Sequence, residues 1–254
     1  MKKFISFSGG VESSTMCLLF GQNADAIFAD TGDEHQEVYD RIDLVQEKVR
    51  QIHGNNFTIH KVKNEKHKSL PKYAIESKFL PSFRTRYCTR MFKIEPIDNY
   101  LKQFKDEGVE LMIGLNSEEI DQRTGNHGLL PFVKYSYPLA DNGFNRAMCE
   151  VLLRKADLHP NFPVYMKRGG CRSCFFKSKK EYQAMALLSP TEFNTIIELE
   201  EGIQDQRAEF FSIIDGLTMR QLRDNVLAQG LLFELDEIYA IVNNATNFGV
   251  FCNR

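Results

Sequence analysis

The sequence has no run of about 18 apolar residues, so no segment of it is long enough to cross a bilayer as a helix. Nor does an apolar signal-peptide core follow Lys2-Lys3, because Ser6, Ser8 and Gly9-Gly10 interrupt it. Net charge is nearly absent too. It is −2, from 32 bases and 34 acids, which gives no global attraction to polyanions. Internal repeats and low-complexity tracts are missing. These absences predict a soluble, cytoplasmic protein without a membrane partner. What is present is a chain of 254 residues, 43% hydrophobic and with 20 Phe. A chain of this length buries roughly three quarters of its unfolded surface. Six cysteines stand out: Cys17, Cys88, Cys149, Cys171, Cys174 and Cys252. In a reducing compartment they argue against a disulfide framework.

Short apolar runs alternate with helical patterns along the first part. Lys3–Ser8, Ala26–Ala29, Phe57–Val62 and Glu110–Leu115 read as strands. Ser13–Gly21, Glu34–His53 and Ile94–Phe104 read as helices, the second with Val38, Ile42, Val45, Val49 and Ile52 on one stripe. Strands alternating with helices predict a parallel α/β sheet with right-handed crossovers. The last part reads as helices at 179–188, within 191–216, at 218–228 and at 234–244, with Ser189-Pro190 as a helix start. The expected division is a nucleotide-binding α/β domain over 1–175 and a helical region over 176–254.

The most specific local signal is a strand, then Ser8-Gly9-Gly10-Val11-Glu12-Ser13-Ser14, then a helix. Glycines at such a turn let the backbone approach an anion. The helix start supplies unpaired N–H groups and the positive end of the dipole. No Gly-Lys-Ser/Thr follows, and the dinucleotide pattern G-x-G-x-x-G does not fit. The segment resembles the PP-loop, S-G-G-x-D-S, of ATP pyrophosphatases and the adenine nucleotide α-hydrolase superfamily, with Glu12 at the aspartate position. Asp30-Thr31-Gly32, with Glu37 and Tyr39 beyond, is similar to the D-T-G…E-T-Y signature of the phosphoadenosine-phosphosulfate (PAPS) reductase branch. Cys88 to Ile97, which follows Tyr87, resembles C-C-x-x-x-K-x-x-P-L, matching at Cys88, Lys93 and Pro96. Gly114 to Arg123 resembles G-x-R-x-x-E-S-x-x-R, matching at Gly114, Glu119 and Arg123 but not at Asn116 or Ile120. Tyr137-Pro138-Leu139 follows in order.

The resemblance implies a Rossmann-like PP-loop fold that takes ATP, or a PAPS-like adenylyl nucleotide, with Mg²⁺. It implies phosphate, ribose or adenine contacts from Ser8, Gly9, Gly10, Val11, Ser13, Ser14, Asp30, Thr31, Gly32, Gly114 and Glu119. Glu12, Lys93 and Arg123 become the candidates for catalysis, since Arg suits bidentate phosphate recognition. Glu12 is one methylene longer than the usual Asp and puts the metal role in question.

Cys171 and Cys174 form a Cys-x-x-Cys on a glycine turn, a spacing that suits zinc, redox dithiols and iron–sulfur ligation alike. Cys88 is the natural third thiol and Cys252 or Cys149 the fourth. Three readings stay open: a four-cysteine metal or [4Fe–4S] site, a three-cysteine cluster with an open iron, and a metal-free redox or structural pair. A [4Fe–4S] cluster is favoured over zinc. Cys17 and Cys149 read as helix core.

Charge is uneven. Lys61–Lys93 holds ten bases against two acids, and Tyr165–Lys180 holds six bases and no acid. From Glu181 onward there are twelve acids and four bases. Tyr73, Phe79, Phe83 and Tyr87 interleave with the first basic run, as suits single-stranded nucleic acid or a nucleotide, unless the run only balances the acidic helices. His60, His67, His127 and His159 lack metal-ligand spacing.

Three functions compete. The first is a PP-loop enzyme that adenylates a substrate and releases pyrophosphate, for sulfur insertion into a nucleic acid or nucleotide. The second is a sulfonucleotide reductase using a thiol reductant. Cys252 would be its nucleophile, although the tail lacks the E-C-G-L-H motif. The third is a non-catalytic nucleotide- and cluster-binding subunit. A homodimer or a larger complex is compatible with each.

Overall fold

The computed structural model describes residues 1–54, 56–123 and 130–229. The strands are β1 (Lys2–Phe7), β2 (Asp25–Asp30), β3 (Ile59–Lys63), β4 (Val109–Met112) and β5 (Val133–Ser136). They form one sheet in the order β3-β2-β1-β4-β5, and every pairing is parallel. Burial on both faces explains the nearly continuous apolar runs of β1 and β2. Phe4, Ile5, Ala26, Ile27 and Phe28 are all buried. The strand order reverses at the β1/β4 pair. The crevice outside the carboxyl ends of two such strands is where open parallel sheets take ligands.

Helix α1 (Val11–Phe20) follows β1, and α2 (Gln36–His53) follows β2. Val38, Ile42, Val45 and Val49 of α2 are buried as its stripe requires, whereas Ile52, in the last turn, is 48% exposed. Arg50 and His53 sit in that last turn, where the helix dipole favours cations. The helix expected over 94–104 is shorter, Glu95–Leu101, and tightens into a 3₁₀ turn at Lys102–Phe104. Its neighbourhood is a cluster of Phe4, Ile27, Leu101, Val109 and Leu111.

The chain divides into two compact units. The first is Met1–Asp30, Gln36–Lys63 and Ile94–Asn161, and it holds the whole sheet. The second is Thr31–His35, Asn64–Lys93 and the described residues from Phe162 onward.

The second unit is helical. Helix α3 (Leu70–Glu76) is capped by Ser69, whose Oγ accepts from the Lys72 N–H at 3.4 Å. Ala74, Leu80, Leu199 and Ile203 cluster where α3 meets the Pro190–Gln204 helix. The Lys179–Leu188 helix begins with a capping box. Ser178 Oγ accepts from the Glu181 N–H at 3.2 Å, and a Glu181 carboxylate oxygen accepts from the Ser178 N–H at 2.9 Å. Pro190 occupies the first turn of the next helix, where its missing N–H is harmless. The Met219–Gln229 helix follows. The helix expected over 234–244 lies outside the described residues. Among the described residues, no helix is long and apolar enough to cross a membrane.

Candidate functional site

In the first unit the loop after β1 turns on Gly9, at φ 76°, a conformation that L side chains rarely adopt. Gly10 is the N-cap of α1 and brings no side-chain cap, so the first-turn N–H groups have no such partner. Ser13 fastens the loop. Its Oγ accepts from the Ser8 N–H at 3.2 Å, lies 3.2 Å from Ser8 Oγ, and donates to the Gly10 carbonyl at 3.3 Å. Val11 and Ser14 are buried.

Beneath the loop sits Arg41 of α2, only 6% exposed. Its Nε donates to the Gly9 carbonyl at 2.8 Å, and one terminal nitrogen donates to Ser14 Oγ at 2.8 Å and the Leu158 carbonyl at 2.9 Å. These bonds turn oxygen atoms toward the guanidinium. Burial lowers its pKa to about 10, so it stays charged at neutral pH. Linear reasoning missed Arg41. The available signal was its position beside Val38, Ile42 and Val45, a charge on an apolar stripe.

Glu12 is paired rather than open. One carboxylate oxygen accepts from Arg146 at 2.8 Å and from the Asn116 amide at 3.3 Å. Arg146 also reaches Glu150 at 3.2 Å. Asn116, the position where the family pattern has Arg, is 2% exposed, and its Oδ1 accepts from the backbone N–H groups of Glu118 and Glu119 at 3.0 and 3.2 Å. Gly114 lets β4's end approach the loop. A Cβ there would meet the Glu12 carbonyl carbon and the Ser13 nitrogen, each at 3.2 Å. The loop, Gly114 and Asn116 thus converge at the strand-order reversal. Asp30 ends β2 and accepts from the Tyr39 hydroxyl at 2.7 Å. Arg123 ends the short helix Ile120–Arg123.

Thr31 and Gly32 belong to the second unit. The Thr31 hydroxyl is fully buried, donates to Glu34 at 3.0 Å and lies 3.4 Å from Cys171 Sγ. Gly32 has φ 71°, and a Cβ there would meet Ser69 Cβ at 2.6 Å. Residues 33–35 lock onto the Cys-x-x-Cys turn. The Arg172 N–H donates to the Asp33 carbonyl at 2.7 Å, and the Asp33 carboxylate accepts from the N–H (3.1 Å) and the hydroxyl of Ser173. Cys171 Sγ lies 3.5 Å from Glu34 Oε1. Burial raises the Glu34 carboxyl, while the Lys93 charge and the Thr31 bond oppose the rise. Lys93 sits in a π-helical turn, Arg90–Ile94.

Cys88 and Cys174 pack with Cys171, Leu70 and Phe92 in one cluster. None of the five described cysteines forms a disulfide. Burial pushes the Lys177 ammonium down, and Glu181 with the Cys174 and Cys171 thiols pulls it back up. Three thiols of the expected metal set therefore share one apolar cluster, whereas the ligand atoms that converge within 4.8 Å among the described residues are those of His35, Glu37 and Glu192. Cys252 lies outside the described residues, as does His127. Cys17 and Cys149 are fully buried, and burial raises the Cys149 thiol to about 11.

An all-parallel sheet with a glycine loop opening onto a helix start at the order reversal defines a nucleotide-binding α/β domain. Residues 2–125 match the phosphoadenosine phosphosulfate reductase domain, and that match places this part of the chain in the adenine nucleotide α-hydrolase superfamily. The family consists of enzymes that bind adenine nucleotides. Two uncharacterized proteins of Methanocaldococcus jannaschii are similar. One is 27% identical over 123 residues, 45% of this chain and 23% of its own. The other is 36% identical over 103 residues, 39% of this chain and 23% of its own. The chain thus matches under a quarter of the length of these relatives. Cys88 falls inside the family match, and Cys171 and Cys174 fall beyond it.

Proposed function

We propose that this protein binds ATP, or a related adenylyl nucleotide with Mg²⁺, on the Ser8–Ser14 loop and activates an acceptor by adenylation. The observation that carries this reading is the uncapped start of α1 behind Gly9-Gly10, with Arg41 buried beneath it. In the step envisaged, an acceptor oxygen attacks the α-phosphorus, the bond to the bridging oxygen breaks, and pyrophosphate leaves with that electron pair. A sulfur nucleophile from a donor then displaces AMP and keeps the acceptor carbon. Loop N–H groups and the Ser8 and Ser13 hydroxyls would hold the phosphates, with Gly114 giving the room. Asp30, Thr31, Gly32 and Glu119 complete the nucleotide contacts proposed. Arg123 and Lys93 would offset developing charge. Glu12 would serve the metal only by sharing its carboxylate with Arg146.

Cys88, Cys171 and Cys174, with Cys252 as fourth, would hold a [4Fe–4S] cluster or zinc. The clustering of three thiols near Lys177 fits an anionic thiolate centre. When bound, a cluster held by four cysteines would supply electron transfer, and one held by Cys88, Cys171 and Cys174 alone would leave an open iron for sulfur. Anaerobic purification with iron, sulfide and zinc analysis separates these options.

Titration calorimetry with ATP, and release of AMP and pyrophosphate in the presence of acceptor, test the main reading. No ATP binding at millimolar nucleotide overturns it. The second reading, a thiol-dependent sulfonucleotide reductase, draws on the description of the matched family. It requires sulfite release from PAPS or adenylyl sulfate, lost in Cys252→Ser.

A further inference from the structure

The aromatic and basic residues of the second unit do not form the diffuse basic loop that their order in the chain suggests. They sort into two groups. Tyr73 and Tyr87 pack inward against Leu70, Phe92 and the cysteines, and the Tyr87 hydroxyl donates to the Phe79 carbonyl at 2.6 Å. Phe83 goes the other way and is 68% exposed. Its ring stands edge-on to two rings from the second basic run, 4.8 Å from Phe176 at 87° and 5.2 Å from Phe175 at 74°. Phe175 and Phe176 lie 4.3 Å apart at 36°. Two guanidinium groups flank the Phe176 ring, Arg86 at 5.5 Å and Arg168 at 5.4 Å from its centroid. Arg84, Lys167, Lys179 and Lys180, from the same two basic runs, are exposed.

The runs Phe79–Lys93 and Tyr165–Lys180 contain no acidic residue. The next acid, Glu181, is buried and its carboxylate accepts from Ser178 and the Lys167 N–H. The patch therefore combines an exposed ring on an aromatic base with a surround of cations. An acidic peptide would use the cations but has no planar face for Phe83. A duplex hides its base faces inside the stack. A single strand offers both, a backbone charge at every nucleotide and an unstacked base to lie on the ring.

We infer that Phe83, Phe175 and Phe176, with Arg84, Arg86 and Arg168, form a binding surface for single-stranded nucleic acid. A strand held here would be the acceptor of the adenylation step, a role that rests on the function proposed above, whereas the binding itself does not.

The test uses the full chain and a dye-labelled oligothymidylate of about 12 nucleotides, within the usual span of such surfaces. Anisotropy is read without nucleotide over a series of salt concentrations. The expected result is binding whose log K falls linearly with log salt. Phe83→Ala should weaken it about 5- to 100-fold with the salt slope unchanged. Arg84→Ala should weaken it and shrink the slope by about 0.7. Both residues are exposed, so the variants should melt with the wild type and bind ATP as it does. With ATP present, the oligonucleotide should stimulate pyrophosphate release by the wild type and not by Phe83→Ala. The inference is overturned if the oligonucleotide does not bind, if Phe83→Ala binds it unchanged, or if a duplex or polyglutamate binds as well. If the strand binds as described but ATP does not, the adenylation reading falls and the binding surface stands.

Discussion

At the scale of single residues, Arg41 decides the most. A buried guanidinium whose bonds go to two carbonyls and a hydroxyl leaves all three stranded when it is removed. Arg41→Ala is expected to lower unfolding free energy by on the order of 2–3 kcal/mol, read by urea denaturation. It should also weaken ATP binding by more than the stability loss explains, because the Gly9 carbonyl is no longer anchored. Arg41→Lys keeps the charge but not the fork, so it should restore only part of both. With a pKa near 10 the group does not titrate between pH 6 and 8, and the defect should be flat across that range. The loop itself was legible as residues: Ser8, the glycine pair and Ser13 point to an anion in any order of reading. Arg41 and Arg146 were not, because an arginine in an amphipathic helix and one near a helix start look like surface charges. Only the three-dimensional arrangement joins them to Gly9 and Glu12.

At the scale of elements, the approach of β4's end to the loop is the sensitive contact. Gly114→Ala would press a methyl group against the Glu12–Ser13 peptide at 3.2 Å. The expected outcome is a nucleotide affinity at least tenfold weaker in calorimetry, with the far-ultraviolet spectrum intact.

A second element-scale outcome concerns Glu200, which is 2% exposed. It accepts the backbone N–H groups of Ile213 at 2.8 Å and Met219 at 2.6 Å, and so fixes the turn that leads into the Met219–Gln229 helix. Burial raises its pKa above the ordinary 4.5, against the pull of those two bonds. The folded state therefore holds this proton more tightly than the unfolded chain. The contribution to stability is complete below pH 4.5 and is lost as pH rises through the raised folded value. In paired thermal melts, the difference between wild type and Glu200→Gln should move in favour of the variant as pH climbs through that window. A difference that stays constant with pH would refute this.

The regular elements were the legible ones, because burial on two faces writes an apolar run for β1 and β2, and burial on one face writes a stripe for α2. The edge strand β5 is three half-buried residues and the exposed Lys134, and its pattern is too short to stand out. Helix α3 hid in the basic run because its cap, Ser69, and Leu70-Pro71 carry the signal while the lysines around it do not.

At the scale of the whole molecule, the division into units was the least legible feature, since each unit draws on distant stretches of chain. Helix α3 and the Pro190–Gln204 helix share one cluster although more than a hundred residues separate them in sequence. Gly202 meets α3 closely enough that a Cβ would lie 3.0 Å from Ile75 Cδ1. A chain stopped after Ser178 would leave Ala74, Ile75 and Leu80 without Leu199 and Ile203. It is expected to bind a hydrophobic dye, lose its cooperative thermal transition, and be cut by protease within 64–93. A sharp melt in the shortened chain would refute this dependence.

The interleaving also bears on inheritance. The peptide passes between the units at 30/31, 35/36, 63/64, 93/94 and 161/162. No single fusion, splice or recombination point separates the sheet from the thiols. Five residues of the thiol unit, Thr31–His35, are spliced directly onto the last residue of β2. A gene exchange that brought in a new sheet would have to bring the matching partner for the Cys-x-x-Cys turn along with it. The end of β2 and the residues that hold the Cys-x-x-Cys turn are therefore contiguous in the chain.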